Sequence, residues 1–561
     1  MVKEQLQVLV EDVLRELGLD PGPGVQMDAP RDKRHGDYST NIALVLAKRV
    51  GRPPGELARA IAERLAGRPG LDADVTLAGP GFINFKLHEG GAAASLRALL
   101  ARGLDVARAE KRRGERLQLE FVSANPTGPL NVVSARAAAY GSTLARLCDA
   151  AGWDVETEFY VNDAGRQVDL LGASVRARFV ERLGGSAPFP EDGYHGEYVL
   201  ELAMLIPEGD GRAWLALPGE SSGRAFGEFA VERVLEWQRA ALEKFGVRFD
   251  RWFRESELHA SERVEATLRD LEAGGHVYVQ DGAKLFRTTA WGDDKDRVVV
   301  RSDGRPTYFL ADAAYHRDKH ERGYGRVIDV WGPDHHGHIP RMQAVAQALG
   351  YGADWLEVVI IQWVKLVEGG QAIKMSKRAG QLVSLSDLLE EVPPDVAKYF
   401  FLMRHQSSHL DFDLELAKKT SEENPVYYVK YAHARICSIV NKAEEAGLRL
   451  AAPEIGVGAP GAAAPESAAL ERLGTPEEID LAKLLVDFPA LVGRAAEARE
   501  PHRLTGYCED VARSFHRFYH ECRVVQEDAE LGLARLALCH ATRRVLASAL
   551  ALMSIEAPRS M

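Results

Sequence analysis

Lys374-Met375-Ser376-Lys377, running on into Arg378-Ala379-Gly380, sets two ammonium groups three positions apart in a short basic segment. A loop that carries such a pair can follow negative charge as it shifts onto a departing pyrophosphate, which is the chemistry of nucleotidyl transfer. Taken alone, the run reads more readily as a solvated basic turn. Two further constellations bear on it. Tyr308 and Asp312 stand four apart and share a face if their segment is helical, while Glu120 closes a strand elsewhere. Paired carboxylates suit a cationic substrate, and a guanidinium offers the planar fork of donors that a carboxylate meets with two parallel bonds. The run Asp334-His335-His336-Gly337-His338 has metal-binding residue types. Adjacent ligands on one loop rarely build a closed zinc site, so polar contact to a nucleotide or substrate is the expected role and no metal is assigned.

The elements that must position these groups are legible in outline. Residues 117–122 read as a strand, 125–129 (Asn-Pro-Thr-Gly-Pro) as a loop, 134–151 as a helix ended by Gly152, and 155–161 as a second strand. Strand, helix and strand with a crossover of this length imply a right-handed parallel unit, half of a nucleotide-binding α/β fold. The second half resumes with a strand at 327–331, a helix at 340–349 and a strand at 356–363, just before the lysine loop. Ligands of such sheets sit beyond the carboxyl ends of the strands, which puts Asn125 and the start of the following helix in reach of a polar substrate and of phosphate. Between the halves lies a long insertion with a helix near 226–245 and tight turns at Asp281-Gly282 and Asp303-Gly304. Before the sheet comes a small α+β unit: an amphipathic helix over 5–17, a basic turn at 31–38 and a strand at 82–85, followed by a basic linker at 111–113. Beyond about residue 392 helical periodicity dominates, and 451–468 is an Ala-, Pro- and Gly-rich connection. The expected domains are therefore 1–110, 111–390 and 391–561.

Composition narrows the classes. A chain of 561 residues exceeds a single core. Its 46% hydrophobic and 27% charged residues are those of an ordinary globular protein. The five cysteines, at 148, 437, 508, 522 and 539, form no Cys-x-x-Cys pair, so neither a disulfide framework nor a thiolate zinc site is expected. With no apolar leader and no membrane-length span, a cytoplasmic location and no membrane partner are expected. A net charge of -12 argues against indiscriminate nucleic-acid binding, while leaving room for a specific RNA partner.

Taken in order, the motifs resemble one family, the bacterial class I arginyl-tRNA synthetases. The likeness runs through Arg31-Asp32-Lys33 with His35-Gly36-Asp37-Tyr38, then Glu120-Phe121-Val122-Ser123-Ala124-Asn125-Pro126-Thr127-Gly128. It continues through Tyr160-Val161-Asn162-Asp163-Ala164-Gly165-Arg166-Gln167, Gly292-Asp293-Asp294-Lys295-Asp296 and Trp331-Gly332-Pro333-Asp334-His335-His336-Gly337. After the lysine loop come Asn424-Pro425-Val426-Tyr427-Tyr428 and Tyr431-Ala432-His433-Ala434-Arg435.

The resemblance implies a Rossmann-like parallel-sheet catalytic domain between an N-terminal α+β domain that contacts tRNA and a C-terminal all-α anticodon-binding domain. It implies the activity of an arginine–tRNA ligase: the L-arginine carboxylate attacks the α-phosphate of ATP, pyrophosphate leaves, and the terminal 2'-hydroxyl of tRNA(Arg) takes the arginyl group. Carried over by position, Glu120, Ser123, Asn125, Tyr308, Asp312 and Asp334 would bind arginine. Asn131, Ser134, His336, Lys374, Met375, Ser376 and Lys377 would meet ATP, with the two lysines stabilising the pyrophosphate. His433 and Arg435 would lie near tRNA. ATP is the expected co-substrate, Mg2+ its expected companion, and a monomer the expected state.

One signature departs from the family pattern. Where the pattern has His-x-Gly-His, this chain has Asn131-Val132-Val133-Ser134. Asn131 can donate through its amide and Ser134 through its hydroxyl, and Ser134 is also expected to cap the helix. Val133 fills space the glycine leaves open. The departure leaves a second reading, a non-catalytic or repurposed relative that binds tRNA or arginine.

Overall fold

The computed structural model describes residues 2–21, 24–28, 30, 35–69, 71, 73–87, 89–102, 106–109, 115–372, 384–450 and 470–561. The basic segments 31–34 and 111–113, the lysine loop 374–380 and the connection 451–468 lie outside the described residues.

The N-terminal unit packs the helices Val2–Glu16, Ile42–Val50 and Pro54–Leu65 on a three-stranded antiparallel sheet ordered Tyr38–Thr40, Phe82–Leu87, Ala73–Ala78. Its core is the apolar stripe Leu6, Val10, Val13 and Leu14 set against Ile61, Ile83 and Phe85. At Gly36, with φ +96°, a Cβ would stand 2.6 Å from the Phe85 carbonyl oxygen, so the close backbone approach there needs glycine.

The middle of the chain forms a five-stranded parallel sheet ordered Leu356–Ile360, Arg326–Trp331, Arg116–Glu120, Asp154–Val161, Arg251–Arg254. The central strand, Arg116–Glu120, is the first in sequence, and successive strands extend the sheet from it in both directions. That reversal opens a crevice at the carboxyl end of the central strand, where Glu120 sits. The crossover helix Val132–Ala150 is buried along most of its length. Its small residues let it sink onto the sheet: a Cβ at Gly141 would lie 2.2 Å from Cγ of Phe121. The insertion supplies the helix Gly219–Lys244 and a three-stranded antiparallel sheet over 277–300. In that sheet Asp281 (φ 51°) and Gly282 (φ 79°) make the tight hairpin turn that their sequence predicts.

The C-terminal region is built from the helices Pro425–Glu445, Pro476–Val486, Phe488–Glu497, His502–Glu521 and Ala529–Leu552. One strand, Leu410–Asp413, falls beyond the point where periodicity shows only helices. It pairs in parallel with Val364–Glu368. Buried Leu410 and Phe412 alternate with exposed Asp411, a period of two too short to register against the helical segments around it.

The parallel sheet and the helical region meet through buried polar groups. Arg136, almost fully buried, donates to the carbonyls of Gln362 (2.9 Å), Ser408 (2.9 Å) and His405 (3.0 Å). Tyr140 donates to the Arg499 carbonyl at 2.8 Å, and Arg499 pairs with Glu357 at 3.0 Å. Lys398 is buried with Nζ on the Ser554 carbonyl at 3.0 Å, and burial pulls its pKa down to about 8. The folded state thus binds this proton less tightly than the unfolded chain does, so stability rises with pH from about 8 toward the ordinary lysine value. The expected signature is a gain on the order of 1 kcal/mol per pH unit in that window that Lys398→Met lacks. Parallel thermal melts of the two proteins from pH 7 to 9.5 check it, and equal slopes would refute it.

Candidate active site

Glu120 ends the central strand, and the chain turns sharply just after it. Ser123 N–H donates back to the Phe121 carbonyl at 3.0 Å, spanning Val122 at φ 70°, and Ser123 itself has φ 38°. This is a γ-turn of the positive-φ kind, strained for a β-branched residue. The turn aims Ser123 Oγ back to donate to Glu120 Oε1, 2.7 Å away, while Ser123 Oγ itself accepts from Tyr160 N–H at 3.1 Å. Glu120 Oε2 accepts from Lys319 Nζ at 2.7 Å. Both carboxylate oxygens therefore have donors. Burial, and the nearby Asp329 charge, nonetheless push the Glu120 pKa above the usual carboxylate range, against the pull of Lys319 and Ser123.

Tyr308 and Asp312 open the helix Tyr308–Glu321, on one face as their spacing predicts. Tyr308 is exposed, with its hydroxyl beside Gly165: a Cβ there would lie 3.1 Å from it. Asp312 Oδ2 meets His338 Nε2 at 3.0 Å. His338 closes the 3-10 turn Pro333–His338, and its ring lies against Phe309 and Trp331. Asp334 and His336, on the same turn, are exposed.

A further carboxylate joins this group. Glu255, buried just past the edge strand Arg251–Arg254, accepts from Tyr160 Oη at 2.9 Å. Burial raises its pKa, and the neighbouring Asp312 charge adds to the rise. Tyr160 is in turn raised by burial, then by Glu255 and Asp312. Glu120, Ser123, Tyr160, Glu255 and Asp312 thus form one electrostatic neighbourhood at the carboxyl ends of three adjacent strands. Sequence reasoning missed Glu255, Lys319 and His338. The first two carry no local motif, and His338 was hidden among histidines of similar appearance.

Asn125 is exposed at the entrance. Gln238, buried on the helix Gly219–Lys244, holds its loop by donating to the Asn125 carbonyl at 3.1 Å and the Gly128 carbonyl at 2.9 Å.

At the altered signature the cap of the helix is Asn131 and not Ser134. The helix begins at Val132, and Asn131 Oδ1 accepts from Val133 N–H (3.0 Å) and Ser134 N–H (2.9 Å). An asparagine at this position competes well for the first unpaired N–H groups, and the helix starts earlier than its apolar pattern suggests. Ser134 Oγ lies 3.3 Å from the same Oδ1. Asn131 also bridges to Ser384, and Leu385 N–H donates to the Leu130 carbonyl at 2.7 Å. The chain leaving the lysine-loop segment is therefore pinned beside the signature. Lys374, Met375, Ser376 and Lys377 themselves lie outside the described residues.

Farther away, His433 is buried with Nδ1 on the Pro558 carbonyl at 2.8 Å. Arg435 donates to Tyr431 Oη at 2.8 Å and lies over the Tyr519 ring. Both are engaged within the helical region.

Three family profiles match in chain order: "Arginyl tRNA synthetase N terminal domain" over residues 4–87, "tRNA synthetases class I (R), catalytic domain" over 95–398, and "DALR anticodon binding domain" over 429–561. The chain belongs to the class I arginyl-tRNA synthetases. Its relatives include the arginine–tRNA ligase of Moorella thermoacetica, 46% identical over 97% of this chain and 95% of the relative. That of Heliobacterium modesticaldum is 44% identical over 98% and 96%. Among solved structures, Thermus thermophilus arginyl-tRNA synthetase superposes with a TM-score of 0.79 at 24% identity, covering 100% of both chains. At that identity the likeness is one of fold.

The Ser123 hydroxyl favours the ionised form of Glu120. Ser123→Ala is expected to move the acid limb of kcat/KM for arginine to higher pH and to raise the arginine KM about tenfold at neutral pH. A pH profile that superposes on the parent's would contradict this.

Proposed function

We propose that this chain activates L-arginine with ATP and transfers it to tRNA(Arg) through the site described, with the altered signature as a working phosphate contact. What carries the reading is the gathering of Glu120, Glu255 and Asp312 around one crevice at the switch point of the sheet, in a chain of this family. A guanidinium enters a region of excess negative charge there, with Asp312 as its forked partner and Tyr308 and Tyr160 beside it. Glu120, Ser123 and Asn125 lie toward the α-amino end, and Asp334 at the rim. An arginine carboxylate oxygen attacks the α-phosphorus of ATP, the bond to the bridging oxygen breaks, and pyrophosphate departs with its electron pair. The tRNA 2'-hydroxyl then attacks the arginyl carbonyl and AMP leaves.

On the nucleotide side Asn131 has a divided role. Its Oδ1 is committed to the cap, which leaves the two protons of Nδ2 as donors toward phosphate. Ser134, close to the cap oxygen, is the lesser donor. His336, Lys374, Met375, Ser376 and Lys377 complete the ATP contacts, the lysines taking charge from the leaving pyrophosphate. Mg2+ enters with the ATP phosphates: among the described residues no three His, Cys, Asp or Glu side chains converge on one point that would hold an ion. A monomer working in the cytoplasm completes the proposal; among the described residues no helix is long and apolar enough to cross a membrane.

Charging of tRNA(Arg) with labelled arginine by purified protein tests the reading, and no product above background at saturating ATP would refute it. Asp312→Asn is expected to lower kcat/KM for arginine about 10²- to 10³-fold, the usual cost of unpairing a buried ionic contact. Asn131 can be split by substitution. Asn131→Asp keeps the cap but replaces the Nδ2 donors with an oxygen, so kcat should fall about 10²-fold with the melting temperature unchanged or raised. Turnover within a few-fold of the parent would show that Nδ2 does not reach phosphate.

A further inference from the structure

Three carboxylates stand side by side beneath the arginine crevice. In the sheet register Asp329 pairs with Glu120 and Glu120 with Glu158, so the three occupy one row across adjacent strands, all buried. The helix that carries Tyr308 and Asp312 lies over that row. Along it, residues 308, 312, 316 and 319 recur at steps of four, four and three, one continuous stripe. The outer half of the stripe is Tyr308 and Asp312. The inner half is His316 and Lys319, both buried.

Asp329 is gripped by that inner half. Its Oδ1 accepts from Lys319 Nζ at 2.7 Å and its Oδ2 faces His316 Nε2 at 2.8 Å. Lys319 also donates to Glu120, at 2.7 Å. The other nitrogen of His316, Nδ1, lies 2.8 Å from the Asp312 carbonyl oxygen. A carbonyl only accepts, so Nδ1 carries a proton. Nε2 faces the Asp329 carboxylate. The ring thus bridges Asp329 and the Asp312 turn, with Tyr315 beside it. Although burial alone would push Asp329 up, Lys319 and His316 hold its pKa down to about 2, consistent with an ionised hub.

We propose that His316 and Lys319 are positioning residues for arginine: through Asp329 they fix the Asp312 turn and the Glu120 carboxylate as one rigid two-point receptor. Neither touches substrate. His316 sets the height of the Asp312 turn above the sheet, and Lys319 sets the direction of the Glu120 carboxylate. Among the described residues, none of the hydrogen bonds of His316, Lys319 and Asp329 reaches Asn131 or Ser134, so loss of the grip falls on one substrate. The inference rests on Asp312 and Glu120 as arginine-binding groups, which Asp312→Asn tests separately.

The experiment compares His316→Gln and Lys319→Met with the parent in steady-state charging of tRNA(Arg). Arg317→Met serves as a control on the same helix, where Arg317 pairs outward with Asp270 and Glu321. Both test variants should raise the arginine KM about 10- to 100-fold, as expected for a lost charge-assisted hydrogen bond. The ATP KM should stay within about twofold, and the control should change neither. An ATP KM that rises in step with that of arginine, or an unchanged arginine KM in folded His316→Gln, would overturn the proposal. Should Lys319→Met not fold, His316→Gln decides the matter. If Asp312→Asn leaves arginine kinetics intact, the underlying site assignment fails instead.

Discussion

The structure depends on one awkward fact: three carboxylates lie buried in adjacent register positions of a parallel sheet. Asp329, Glu120 and Glu158 together would repel one another by many kcal/mol in a dry interior if unpaired. The helix Tyr308–Glu321 and the residue just past it neutralise the row from above, Lys319 between Asp329 and Glu120, and Arg322 on both oxygens of Glu158 at 2.9 Å and closer contact. Tyr315 adds a hydrogen bond to Glu158 at 2.6 Å. Such an arrangement is costly as a source of stability, since well-packed apolar side chains would serve better. Its return is geometric. Salt bridges of fixed register lock a helix to a sheet at one height and one rotation, which hydrophobic contact alone does less sharply.

Much of this architecture could be read from the chain. The order of strand, loop and helix around 117–151, the second half at 327–360, the Asp281-Gly282 hairpin and the shared face of Tyr308 and Asp312 all follow from periodicity and turn chemistry. What escaped reading depends on distance in space rather than in sequence. Lys319 and Asp329 look like surface charges until the sheet register sets Asp329 against Glu120. Glu255 follows an edge strand in the insertion, 95 residues from the Tyr160 it bonds. The strand Leu410–Asp413 was missed because four residues cannot outweigh the helices on either side. At the signature, Asn131 outcompeted Ser134 as cap, a contest between two good capping residues that local sequence does not resolve.

The altered signature also looks different once placed. As a string it is the loss of two histidines. In three dimensions Asn131 organises the first turn of the helix and meets Ser384 across a backbone bridge, so the segment that ends the lysine loop returns to the signature itself. Signature and returning chain are thus connected through main chain, which does not depend on the side chains that differ from the family pattern. An asparagine there alters a donor and leaves the scaffold that carries it.

Val122 ties this site to the body of the protein in one more way. Its positive φ costs about 1 to 3 kcal/mol, and its side chain packs on the main core beside Phe121, which itself fills the space above Gly141. The strain that aims Ser123 at Glu120 is therefore held in place by the apolar packing of the two residues between them. Core and turn share a hinge. Loosening the packing around Phe121 would first appear as a relaxed Val122 turn and a freed Ser123 hydroxyl, well before the fold itself gave way.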